Sequence, residues 1–326
     1  MQKSNLTQIS KPIKNELDQF SSLFKDSLKS KVGIVDLVTK YILKQKGKKI
    51  RPLFVILSSK VAGGVTERTY RGATLVELLH TATLVHDDVV DGAEKRRGLP
   101  SINAVWKNKV AVLMGDYLLS RGLLIAVEGE DFDFLKVVTN TVKRMSEGEL
   151  LQIKKTQKLD IDEETYFRII SDKTASLLST CCEIGALSTS ENKDYTIAMR
   201  NFGEYLGLAF QIRDDILDYI GSSAIIGKTI GADIKDKKIT LPLIHALKQA
   251  PKNESTQIIK LIKNGKKKNN ISEIIDFVKR YEGIEYANNV ALSYSEKAVK
   301  ELSIFPNSES KLSLEALVEF VTQRKK

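Results

Sequence analysis

Apolar residues recur at three- and four-residue steps along nearly the whole chain, and strand-like alternation over any useful length is absent. Leu17, Phe20, Phe24 and Leu28 form one such series, and Leu206, Phe210, Ile212 and Leu217 fall in a similar helical run. The first series puts its apolar side chains on one helical face, and such a face must be buried against other helices. Breaks at Gly63–Gly64, Gly129, Asp160–Asp162, Ser190–Asp194, Gly221–Gly231, Pro251, Asn264–Asn270 and Pro306 divide the chain into about ten to thirteen helices. The expected fold is all-α. No repeat and no Pro/Gly/Ser-rich linker splits the 326 residues, so one domain, 1–326, is expected.

Two stretches do not behave like ordinary helix ends. HDDVVDG holds Asp87, Asp88 and Asp91, and RDDILDYIG holds Asp214, Asp215 and Asp218. Both read D-D-x-x-D and both run into a glycine, Gly92 or Gly221, that marks a helix C-terminus. Residues four apart lie about 40° apart on a helix, so Asp87 shares a face with Asp91 and Asp214 with Asp218. Like charges at that spacing cost a few tenths of a kcal/mol, and anions in a last turn about 0.3–1 kcal/mol each. Doing this twice costs on the order of 2–4 kcal/mol, against a typical net stability of about 5–15. A divalent cation reverses the sign of every term. Magnesium suits the donors, because it takes hard oxygen ligands and bridges carboxylates to phosphates. The three histidines and two cysteines form no cluster with zinc spacing.

His80 precedes Asp87 by seven residues, which puts it about 20° away on the same face. Beside carboxylates it is expected to carry a proton and to donate to phosphate. His86 points about 100° away from Asp87 and is expected either to support the site's ligands from behind or to be structural, and His245 to serve at the surface or in packing. Gln211 stands three, four and seven residues before the second triplet's aspartates, within reach of what they bind. Basic clusters sit at other breaks: GKKIRP from Gly47 to Pro52, KRRG from Lys95 to Gly98, DKT from Asp172 to Thr174, and GKTIGADIKDKKITLP from Gly227 to Pro242. Negative walls for metal and positive walls for phosphate describe a cavity for a substrate carrying diphosphates.

The net charge of +10 raises the question of nucleic acid, but the excess is scattered or lies in runs such as Lys266–Lys268 and Arg324–Lys326, and no basic face interleaved with aromatics is seen. No nucleic-acid partner is expected. The N-terminus is polar, and the most apolar region, Val110 to Val127, is interrupted by Asp116, Ser120 and Arg121, so neither a secretory signal nor a transmembrane segment is expected. Adjacent Cys181 and Cys182 point about 100° apart and are read as small buried hydrophobes of a reducing, cytoplasmic setting.

These residues resemble the trans-isoprenyl diphosphate synthases, the polyprenyl synthetase family. The likeness rests on G-K-x-x-R-P (Gly47 to Pro52), E-L-L-H-T-A-T-L-V-H-D-D-V-V-D (Glu77 to Asp91), R-R-G (Arg96 to Gly98), G-D-Y-L-L (Gly115 to Leu119), E-G-E-L-L-Q (Glu147 to Gln152), K-T (Lys173, Thr174), F-Q-I-R-D-D-I-L-D (Phe210 to Asp218) and G-K…K-x-T-L-P. It runs in order from about Lys40 to Leu247. The resemblance implies a helical bundle around a central cavity and a homodimer. It implies that Lys48, Arg51, His80 and Arg97 hold isopentenyl diphosphate. Arg96, Lys173, Thr174, Gln211, Lys228 and Lys238 would hold the allylic diphosphate. Asp87, Asp88, Asp91, Asp214, Asp215 and Asp218 would bind about three Mg²⁺ ions, and with Lys173 they would carry the catalysis. Two departures stand out. Lys46 replaces the first glycine of a usual pair, and Lys49 stands where arginine is common.

In that family the residues four and five before the first motif help set product length. Here they are Thr83 and Ala82, both small, which implies an open tunnel and a hexaprenyl to octaprenyl product of the kind used for quinone side chains. Met114, Leu118 or Leu123 would close the tunnel. A shorter-chain farnesyl or geranylgeranyl synthase is the nearest alternative. A class I terpene cyclase needs no second-diphosphate site, and a non-catalytic synthase subunit tends to lose the aspartates. This chain keeps both features.

Overall fold

The computed structural model describes residues 6–45, 47, 49–220, 231–263 and 268–322, the side chains of 268 and 269 excepted. These residues form fourteen helices of eight residues or more and two single-turn helices, one long helix more than the upper sequence expectation. In chain order the long helices are α1 (Lys14–Ser27), α2 (Gly33–Lys44), α3 (Ile50–Ala62), α4 (Glu67–Val90), α5 (Ile102–Glu128), α6 (Phe132–Lys158) and α7 (Glu163–Ile170). They continue with α8 (Ser176–Leu187), α9 (Lys193–Ile220), α10 (Leu241–Gln249), α11 (Lys252–Lys263), α12 (Lys268–Arg280), α13 (Gly283–Glu301) and α14 (Glu309–Thr322). The all-α expectation holds. The one sheet among the described residues is a hairpin pairing Lys95–Arg96 with Leu99–Pro100.

Helix α4 is the central one. Thr66 caps it, its side chain accepting the Thr69 N–H while the Thr69 hydroxyl takes the Thr66 N–H, so two orphan donors are satisfied reciprocally. Its buried residues include Ala73, Leu75, Val76, Leu78, Leu79, Ala82 and Val85, which point to several sides, as befits a helix surrounded by others. Helix α5 packs along it. The fit depends on Gly115, where a Cβ would lie 2.2 Å from His86 Nε2. His86 thereby reaches the Val112 carbonyl at 3.2 Å and Asp116 at 3.3 Å.

Two apolar clusters form the interior. The first takes α3, α4, α8, parts of α5 and α6, and the first half of α9 through Ala198, Met199, Phe202 and Leu206. The second gathers α7 and α10 to α13 around the other half of α9, through Leu208, Ile212, Ile216 and Tyr219. Helix α9 therefore runs through both. Cys181 and Cys182 are fully buried free thiols in the first cluster, and burial pushes the Cys182 thiol up to about 12. Between α7 and α8 the chain makes a π turn, Ser171–Ala175, closed by the Ser176 N–H to the Ser171 carbonyl. One helix among the described residues, α5, is long and apolar enough to cross a membrane by length and composition, and a third of its most apolar window is buried.

Candidate active site

Both acidic motifs end long helices, as their glycines predict. The first closes α4, with the Asp91 N–H bonded to the Asp87 carbonyl at 2.8 Å. Burial raises the Asp87 pKa against the pull of Lys173, and Glu149 and Asp91 raise it further. Asp88 is 2% exposed, and its Oδ1 accepts from Nε and a terminal nitrogen of Arg96, both at 2.7 Å. That arginine comes from the hairpin. Its loop residues, Arg97 at φ 51° and Gly98 at φ 81°, are the two left-handed positions of a tight two-residue turn.

Arg97 reaches back to the Gln45 carbonyl at 3.3 Å and lies over Gly47, where a Cβ would sit 2.4 Å from its guanidinium. Any side chain at 47 would displace it. Arg51 stands on the first turn of α3, with its Nε buried and without a hydrogen-bond partner among the described residues. Burial lowers its pKa. Half-buried Glu77 lies near Arg51 and Arg97, and burial raises its pKa against their attraction. His80 is 7% exposed, and burial together with Arg51, Arg97 and Arg96 lowers its pKa to about 2. The expectation of a charged His80 is thus corrected. Its charged neighbours across the fold are arginines, which the helix arithmetic along α4 could not reveal. Lys49, the departure from the usual arginine, has φ 47° and donates to Ser21 on α1 at 2.5 Å.

The second motif ends α9. Asp215 is 4% exposed, with Oδ2 accepting from the Tyr166 hydroxyl at 2.6 Å and Oδ1 from Gln211 Nε2 at 2.8 Å. Burial, with Asp233 and Asp214 nearby, lifts its pKa to about 8 despite those bonds. The Asp218 carboxylate accepts the Ala232 and Asp233 N–H groups at 3.0 and 3.1 Å. The π turn joins the two motifs. Lys173 Nζ pairs with Glu149 at 2.5 Å, lies 3.3 Å from Gln152 Oε1, and acts electrostatically on Asp87. The Thr174 hydroxyl donates to Gln211 Oε1 at 2.9 Å. A cavity of about 120 Å³ opens here, lined among others by Gln152, Lys173, Thr174, Gln211, Asp215 and Lys238.

Most of the expected residues therefore gather around two connected walls. Lys48 and Lys228, with Lys46, lie outside the described residues. Four contributors lie outside the residues the sequence singles out. Glu149 and Gln152 sit in the quoted E-G-E-L-L-Q at helical spacing, and Asp233 sits in the loop read for its lysines. Tyr166 had no signal, being one tyrosine in an ordinary amphipathic helix. Among the described residues no three acidic, histidine or cysteine side chains converge on one metal position. Burial is the main cause of the upward pKa shifts at Asp87 and Asp215, and nearby carboxylates add to both, a setting that suits cations that complete their shells with water and phosphate oxygens. Ala82 is buried, and Thr83 is half-buried with its hydroxyl on the His80 carbonyl.

An all-helical bundle with two aspartate motifs at the ends of long helices, linked by a lysine–threonine turn and faced by half-buried Arg51 and Arg96, defines a class of diphosphate-handling enzymes. The polyprenyl synthetase profile matches residues 33–278, and the chain belongs to that family, that of the trans-prenyl diphosphate synthases. It is 33% identical to octaprenyl diphosphate synthase of Haemophilus influenzae, over 89% of this chain and 88% of that one. It is equally 33% identical to geranylgeranyl diphosphate synthase of Saccharolobus solfataricus, over 93% and 94%. The crystal structure of polyprenyl synthase from Caulobacter crescentus complexed with calcium and isoprenyl diphosphate superposes with a TM-score of 0.90 at 29% identity, covering all of both chains. The chain is accordingly a prenyltransferase of isoprenoid biosynthesis.

Proposed function

We propose that the protein condenses isopentenyl diphosphate head-to-tail with an allylic diphosphate, in a Mg²⁺-dependent reaction, to make a hexaprenyl to octaprenyl diphosphate for a quinone side chain. The observation that carries the condensation is the pairing of two carboxylate walls through Lys173 and Thr174 with a separate cluster of arginines about His80, in which Arg51 has an unpartnered buried nitrogen. The carboxylate walls suit the allylic diphosphate and the arginine cluster the isopentenyl diphosphate.

In this reading Arg51, Arg97 and neutral His80, with Lys48, bind the isopentenyl diphosphate. Arg51 offers a planar fork and His80 an uncharged donor. Lys173, Thr174, Gln211, Lys238 and Arg96, with Lys228, orient the allylic diphosphate. Asp87, Asp88, Asp91, Asp214, Asp215 and Asp218 would hold the metal, with Asp88 oriented by Arg96, Asp215 by Tyr166 and Gln211, and Asp218 by the Ala232 and Asp233 N–H groups. About three Mg²⁺ ions, when bound, withdraw charge from the departing diphosphate. The allylic carbon–oxygen bond then breaks, the isopentenyl double bond attacks the cation, and the released diphosphate is the candidate base for the proton lost. The surrounding helices align the two carbons and keep water away from the cation.

Product length is read from Ala82 and Thr83, both too small to block a chain growing past the first motif. The relatives span octaprenyl to geranylgeranyl synthases, so a shorter product is the second reading. A cytoplasmic setting is supported by the two buried free thiols. Homodimerisation is supported by an exposed apolar face on α5 and α6, made of Val112, Leu113, Leu124, Phe132, Leu150 and Ile153. Measuring diphosphate release tests the condensation. Release is expected only when Mg²⁺, isopentenyl diphosphate and an allylic diphosphate are all present. Release from the allylic substrate alone, with formation of a hydrocarbon, favours a cyclase instead.

A further inference from the structure

Lys173 and Thr174 owe their direction to the π turn that carries them. One extra residue in a helical turn displaces the following side chains by about 100°, and such turns are rare because their hydrogen bonding is poor. Something must therefore fasten it. On its inner side the turn is wedged between two helices at glycines. A Cβ on Gly148 of α6 would lie 2.9 Å from Asp172 Cβ, and one on Gly207 of α9 would lie 2.5 Å from Ala175 Cα.

On the other side a single guanidinium gathers three elements. Arg144 of α6 donates through Nε to Asp172 at 2.8 Å. It also donates to the Ser171 hydroxyl at 2.8 Å and to Glu204 of α9 at 2.9 and 3.4 Å. The Ser171 hydroxyl donates to the same Glu204 at 2.5 Å. Burial opposes the charge of Arg144, and the bonds to Glu204 and Asp172 outweigh it, so the guanidinium stays charged. Asp172 and Lys173 are adjacent, yet one is tied to Arg144 and the other to Glu149 and Gln152. The clamp thus holds the first two residues of the turn while the next two face the cavity.

We infer that Arg144, locked by Glu204, is a positioning residue that sets Lys173 and Thr174 against the allylic diphosphate without touching it. The inference rests on the proposed roles of Lys173 and Thr174. Only arginine fits, because a lysine ammonium cannot span Asp172 and the two Glu204 oxygens with one rigid fork.

The test is a double-mutant cycle of Arg144→Met and Lys173→Ala, with Glu204→Gln as a milder second variant and thermal unfolding as a folding control. Losing a charge-assisted hydrogen bond corresponds to roughly a tenfold effect or more. Arg144→Met is expected to raise the KM for the allylic diphosphate about tenfold while the KM for isopentenyl diphosphate stays within about twofold. In the Lys173→Ala background most of that effect should vanish, because Arg144 would act through a group already removed. Glu204→Gln should reproduce the same split at smaller size. Equal loss for both substrates, or full additivity with Lys173→Ala, overturns the inference and leaves the proposed reaction standing. Calorimetric titration with magnesium pyrophosphate supplies a readout independent of turnover. Weaker binding by Arg144→Met supports the clamp, and unchanged binding contradicts it. A native chain that neither turns over nor binds pyrophosphate overturns the proposed reaction together with the inference.

Discussion

His80 shows how far neighbours across the fold change a residue. Its own helix offers it aspartates, but the packed protein surrounds it with Arg51, Arg96 and Arg97, and its pKa falls to about 2 from 6.5. Below pH 6.5 the unfolded chain therefore takes up a proton that the native site refuses. The native state loses stability as pH drops, by up to about 1.4 kcal/mol per pH unit from this one group. His80→Gln removes the titration and keeps a neutral donor. Its melting temperature should fall less than the native protein's between pH 6.5 and 5, with most activity kept at pH 7. Parallel melting curves would mean that His80 is not held neutral. At this scale the sequence was informative wherever both partners share a helix. Gln211 bonds Asp215 four residues on, as its spacing requires. The bond from Arg96 to Asp88 was not legible, because a tight hairpin folds the chain back between them.

Elements place what residues alone cannot. The ends of α4 and α9 were legible from glycine and charge, whereas the π turn was not, because its extra residue is imposed by packing against α6 and α9. Gly207 marks the tightest point, with backbone of Ala175 where its Cβ would stand. Gly207→Ala must push the turn aside, and overpacking of this kind costs about 1–3 kcal/mol. A lower melting temperature accompanied by a raised KM for the allylic substrate is expected. An unchanged melting temperature would show that the wedge has slack. Gly203, four residues earlier, approaches the Leu178 carbonyl at a Cβ distance of 2.6 Å, so both glycines serve one close helix pair.

For the whole molecule, helical periodicity carried the fold class, and the family follows from motif order together with the match over residues 33–278. Association was less legible, because the apolar face of α5 and α6 reads in sequence like any core helix until packing leaves it outside. Leu113 is 58% exposed and Leu150 67%. Replacing both by glutamate should convert a dimer into a monomer by light scattering with the melting temperature nearly kept. An unchanged mass would place the contact elsewhere. Product length also belongs to this scale, since it depends on how the helices around Ala82 leave room for a growing chain. The most direct test of the whole account is to incubate purified protein with Mg²⁺, isopentenyl diphosphate and farnesyl diphosphate, then size the dephosphorylated products beside those of Ala82→Phe. The account predicts Mg²⁺-dependent extension ending between hexaprenyl and octaprenyl, with a shorter product from the variant. Extension that stops at geranylgeranyl, or an unchanged product from a folded Ala82→Phe, contradicts the length assignment, and no extension at all contradicts the proposed reaction itself.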